Sequence, residues 1–82
     1  MNVRLLYFAA VRDALGIDAE ELDLPAGVDT VAALSSHLER LHPTLSGKLA
    51  AVRFAVNEEF AAASAALHAG DTVAVIPPVA GG

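Results

Sequence analysis

The group in this chain best suited to chemistry is the terminal carboxyl of Gly82, which closes the run Pro77-Pro78-Val79-Ala80-Gly81-Gly82. With glycine at about 7% of residues, a chain ends in two of them by chance about once in two hundred. Glycine has no Cβ, so the backbone of Gly81 and Gly82 could thread a channel too narrow for side chains, while Pro77 and Pro78 stiffen its root. Fully extended, residues 77–82 would reach about 20 Å, enough to deliver their end into another protein's active site. An α-carboxyl has a pKa of about 3.3–3.7, so at neutral pH it is an anion and a poor electrophile. Conversion to an acyl-adenylate by ATP would supply a leaving group, and a sulfur nucleophile could then exchange in to leave a thiocarboxylate. The side chains of the tail offer no acid, base or metal ligand. The chain therefore reads as a carrier whose partners supply the catalysis.

Other constellations are weaker. His37, His42 and His68 are the histidines, and the first two lack the i, i+4 spacing that places two ligands on one helix face, so all three are expected as solvated surface residues and no metal site is expected. Asp18, Glu20, Glu21 and Asp23 crowd one segment, where charge commonly protects a strand edge from aggregation. Ser35, Ser36, Ser46 and Ser64 have no recognisable base nearby, and no glycine-rich phosphate cradle is present.

The composition narrows the class further. The chain has 82 residues, is 55% hydrophobic and contains no cysteine, so burial alone must hold a small core. A formal charge of −5 would repel a phosphate backbone, which argues against nucleic acid as a partner. No apolar run approaches the roughly 18 residues of a spanning helix, and no secretory signal is apparent, so no membrane association and a cytoplasmic location are expected.

These residues need a scaffold, and the hydrophobic pattern describes one. Residues 2–8 alternate, with Val3, Leu5 and Tyr7 on one face and Arg4, Leu6 and Phe8 on the other, as a strand requires. Residues 9–15 suit a short helix closed by Gly16, and residues 18–24 read as a second strand. Asp29 or Thr30 would cap a helix whose apolar stripe is Val31, Leu34, Leu38 and Leu41, stopped by Pro43. Residues 52–56 form a strand before the turn residues Asn57-Glu58-Glu59. The alanine-rich residues 61–69 fit a helix by propensity but a loop with a short strand by length. Gly70-Asp71 is a turn, and residues 72–76 form a last strand with Val73 and Val75 inward. The prolines that follow cannot donate to a ladder, so the sheet should end there. Strand, strand, helix, strand, strand predicts an α+β fold with one main helix over one mixed sheet, a β-grasp spanning residues 1–76, followed by a flexible extended tail over 77–82.

The chain resembles the small, ubiquitin-like subunit of molybdopterin synthase. The resemblance rests on Leu6-Tyr7-Phe8-Ala9 with Arg12 and Gly16, Thr30-Val31, Ala55-Val56-Asn57, Gly70-Asp71 with Val73-Ala74, and the ending Pro77-Pro78-Val79-Ala80-Gly81-Gly82. It implies that Gly82 is adenylated by a ubiquitin-activating-like adenylyltransferase using ATP and receives sulfur from a sulfurtransferase as a thiocarboxylate. It also implies insertion of residues 77–82 into the large subunit of the synthase, where sulfur passes to cyclic pyranopterin monophosphate in a heterotetramer. No bound cofactor is implied. Near rivals are a thiazole-pathway sulfur carrier, a protein modifier joined to lysines through Gly82, and a ubiquitin-like interaction module with an inert tail.

The outward faces of the strands supply a docking candidate. Ile76 points away from Val73 and Val75, Phe8 has the same sense on the first strand, and Phe60 follows a turn. Together they are expected to form an exposed apolar patch flanked by Arg12, against the simpler alternative that some of them complete the core.

Overall fold

The computed structural model describes residues 1–78. In chain order its elements are strand β1 (Asn2–Tyr7), helix α1 (Ala9–Leu15), strand β2 (Ala19–Asp23), helix α2 (Val31–Leu41), a 3-10 turn (Pro43–Leu45), and strands β3 (Arg53–Val56), β4 (Glu59–Ala61) and β5 (Thr72–Ile76). The strands form one mixed sheet in the order β2-β1-β5-β3-β4. β1 and β5 run parallel at its centre, with Leu5 opposite Val73 and Tyr7 opposite Val75, and the remaining pairs are antiparallel. This is the β-grasp arrangement read from the sequence, with one strand more than expected.

The period-2 pattern of β1 and β5 turns Val3, Leu5, Tyr7, Val73 and Val75 inward, and each is at most 1% exposed. Against them α2 lays Val31, Leu34 and Leu38, all buried. Leu41, expected in the same stripe, is instead 45% exposed. The inward place one turn after Leu38 goes to His42, and Leu45 from the following 3-10 turn fills the core in Leu41's stead.

His42 is accordingly no solvated surface residue. Its Nε2 lies 2.7 Å from Glu20 Oε2, its ring meets Tyr7 edge-on, and its side chain is 23% exposed. Glu20 faces inward because it pairs with Leu5 in the β1–β2 register, so it is not an edge charge in water. The same carboxylate oxygen accepts the Tyr7 hydroxyl at 2.5 Å. Burial first, and then the Glu20 carboxylate, push the Tyr7 phenol well above its ordinary range. His68 is exposed, as expected.

The alanine-rich stretch has a definite structure. Residues 59–61 form β4, with Phe60 opposite Ala55, and the following backbone turns across the start of α2. There the carbonyls of Ala63 and Ala65 accept the amides of Ala32 and Val31, while the Thr30 hydroxyl accepts the Ala33 amide at 3.2 Å. Donors that a helix start leaves unsatisfied are thus taken up by a neighbouring loop and a side-chain cap. The β3–β4 turn holds Asn57 and Glu58 at φ 51 and 71, the left-handed pair of a two-residue hairpin.

Candidate functional site

The tail root is positioned by the strand before it. β5 lies between β1 and β3 and is bonded to both, so Pro77 and Pro78 start from the middle of the sheet and not from a frayed edge. The start of β5 is fixed as firmly. Buried Asp71 accepts the His68 amide at 2.8 Å and the Asn57 side-chain amide at 2.9 Å, and the Asn57 carbonyl accepts the Thr72 amide at 3.0 Å. The His68 amide, followed by the Asn57 amide, holds the Asp71 carboxyl below the usual range. Pro77 and Pro78 then line a cleft of about 280 Å³ with Ala10 and Val11 of α1 and Lys48 and Ala51 of the loop before β3.

The outward face of the sheet carries the expected patch. Leu6, Ala74, Ala55 and Phe60 stand in one row across β1, β5, β3 and β4 by strand register. Because the two central positions are alanines, the face is hollow in the middle. Phe8, Phe60 and Ile76 line the resulting depression of about 500 Å³, together with Leu6, Ala55, Thr72 and Ala74. Phe8 is 43% and Phe60 61% exposed, which is unusual for phenylalanine on a surface with no partner. Arg12 lies at the adjoining hollow, which shares Leu6 and Phe8, and does not line the main one.

Three contributors were not among the expected site residues. Ala55 and Ala74 make the floor, and Arg53, opposite Ile76 in the ladder, lays its guanidinium 4.1 Å from the centre of the Phe60 ring. Strand alternation marks Ala74 as outward, but only the strand order β1-β5-β3-β4 shows which outward residues adjoin. Of the expected tail residues, Pro77 and Pro78 follow Ile76 and line the cleft with α1 and not the outer hollow, while Val79, Ala80, Gly81 and Gly82 lie outside the described residues. Among the described residues no group of three or more His, Asp or Glu side chains could hold a metal ion, and no helix is long and apolar enough to cross a membrane.

Comparison with known proteins agrees with this geometry. The model of the ThiS family matches residues 5–82. The molybdopterin synthase sulfur carrier subunit of Mycobacterium tuberculosis is 41% identical, over 100% of this chain and 99% of its own length. The subunit of the same name from Escherichia coli is 40% identical, over 98% of this chain and 99% of its own. Among solved structures, SAMP1 from Haloferax volcanii superposes with a TM-score of 0.85 at 27% identity, covering 100% of both chains. A family match over nearly the whole sequence, together with full-length relatives at this identity, shows that the chain belongs to the ThiS family, alongside the molybdopterin synthase sulfur carrier subunits.

Proposed function

We propose that this chain is the sulfur carrier of a molybdopterin synthase. In this reading an adenylyltransferase converts the Gly82 carboxylate to an acyl-adenylate with ATP, a sulfurtransferase supplies sulfur, and the thiocarboxylate is presented to the large subunit. There the sulfur passes to cyclic pyranopterin monophosphate, with one small subunit at each end of a large-subunit dimer. The observation that carries the reading is the joining of an exposed apolar hollow to the root of a Gly-Gly tail by a central strand. Partners would dock on Phe8, Phe60 and Ile76, with Arg12 at the rim, and receive the tail at a fixed distance from that surface.

The division of labour follows from chemistry. Docking orients the terminus without activating it, because the side chains of residues 77–82 include no acid, base or metal ligand. A carboxylate becomes reactive only after its oxygen is made a leaving group, which assigns the chemistry to the partners. Intact mass spectrometry after incubation with ATP, an activating enzyme and a sulfur source should show a gain of about 16 Da, the exchange of oxygen for sulfur. No gain under conditions that load a known carrier would overturn the proposal.

The likeness to SAMP1, a small archaeal modifier protein, favours a second reading in which Gly82 is joined to lysines of other proteins. The two readings share activation and differ in the acceptor. Covalent adducts of the chain in cell extract, lost on deletion of Gly81 and Gly82, would support the modifier role.

A further inference from the structure

The basic side chains of this protein are Arg4, Arg12, Arg40, Arg53 and Lys48, so Lys48 carries its one side-chain amine. A guanidinium stays protonated and does not attack acyl groups, whereas a lysine amine that has shed its proton does. A protein whose terminus becomes an acyl-adenylate is exposed to its own amines, and their placement matters.

Lys48 stands beside the tail root. It lines the same cleft as Pro77 and Pro78, opposite Ala10 and Val11. Its backbone is fixed, since its amide donates to the Leu45 carbonyl at 2.8 Å and its neighbours Leu45 and Leu49 are buried. The side chain itself is exposed and enters no ion pair among the described residues. The amine of Met1 is placed differently. It donates to the Leu24 carbonyl at 3.0 Å, lies 3.5 Å from the Asp23 carboxylate, and precedes β1. Because β1 and β5 are parallel, that is the end of the sheet remote from the tail root.

We propose that Lys48 is an acyl-acceptor site for the protein's own activated terminus, an inference that rests on the carrier reading above. Lys48 Nζ attacks the carbonyl carbon of the Gly82 acyl-adenylate, a C–N bond forms, the C–O bond to AMP breaks, and the amine proton passes to solvent. From Pro78 onward the remaining residues span about 13 Å when extended, ample for a return to a side chain in the same cleft. The acceptor is Lys48 of the same chain or of a second copy. Sulfur donors compete for the same carbonyl and win at neutral pH, where most lysine amines are protonated. Self-acylation therefore belongs to conditions in which activation proceeds and sulfur is short, and its amide product withdraws the carrier from use.

The experiment incubates the full chain with magnesium, ATP and the activating enzyme, with and without a sulfur source, and follows pyrophosphate release and intact mass. Without sulfur, a product about 18 Da lighter than the chain, or a covalent pair lighter by the same amount, is expected, and its digest should join Lys48 to Gly82. Adding the sulfur source should suppress it. In Lys48→Arg, the product should fall at least tenfold while pyrophosphate release and the gain of about 16 Da with sulfur stay unchanged. Normal pyrophosphate release and sulfur loading without the lighter product would overturn the inference alone, as would a conjugate undiminished in Lys48→Arg. Absence of both release and loading would remove the carrier reading and this inference with it.

Discussion

Asp71 gathers the His68 backbone amide and the Asn57 side-chain amide onto one carboxylate, and its ionised form is the one the fold selects. An unfolded aspartate titrates at about 3.9, whereas the folded group lies lower because amides of His68 and Asn57 donate to it. Its contribution to stability is therefore fully present above about pH 4 and is lost as the pH falls through the folded value. Asp71→Ala, which leaves two donors without their acceptor, is expected to cost about 1–3 kcal/mol near neutral pH. The same variant should lose less stability than the parent on acidification, as checked by urea denaturation above and below about pH 4. Glu58 makes the opposite case, since a side chain at φ 71 occupies a place that favours glycine. Glu58→Gly is expected to stabilise the protein by about 0.5–1 kcal/mol in the same assay, the hairpin then having the preferred Asn-Gly turn.

At the scale of the element, the outer sheet face separates docking from folding. Phe60 is 61% exposed on a short edge strand, so Phe60→Asp should change stability by less than about 1 kcal/mol. If the hollow is where a partner sits, the same change should weaken binding to the large subunit by at least about thirtyfold, as isothermal titration would measure. Undiminished binding would take Phe60 out of the surface. Much of this face was legible in the sequence, because alternation alone orients Leu6, Phe8, Ala74 and Ile76 outward. The fourth strand was not. Residues 59–61 are too short to show a period, and the alanines after them favour helix locally until α2 draws their carbonyls to its own start. Glu20 and His42 were hidden for another reason. They are far apart in sequence, and only the β1–β2 register and the end of α2 bring them to the Tyr7 hydroxyl. The expectation for the tail rests on what its residues lack and not on whom they meet, and Val79 to Gly82 lie outside the described residues.

For the molecule as a whole, a cysteine-free core of aliphatic side chains with Tyr7 and Phe54 holds together a body whose proposed working group is one carboxyl at the end of its sequence. Stability and loading should therefore come apart. A residue appended after Gly82 is expected to leave the melting temperature unchanged and to abolish the gain of sulfur mass. Sulfur loading of the extended chain would count against the terminus as the loaded group. The position of β5 also bears on how the molecule is made. On the ribosome β1 emerges first, yet its parallel neighbour is drawn from residues 72–76, after the other four strands of the sheet. Until that strand inserts, β1 and β3 have no bridge between them, and a nascent chain stalled before Val73 keeps its core open to proteases and chaperones. The strand that completes the sheet is thus the one that leads straight into Pro77 and Pro78, so the fold closes only when the root of the tail has been made.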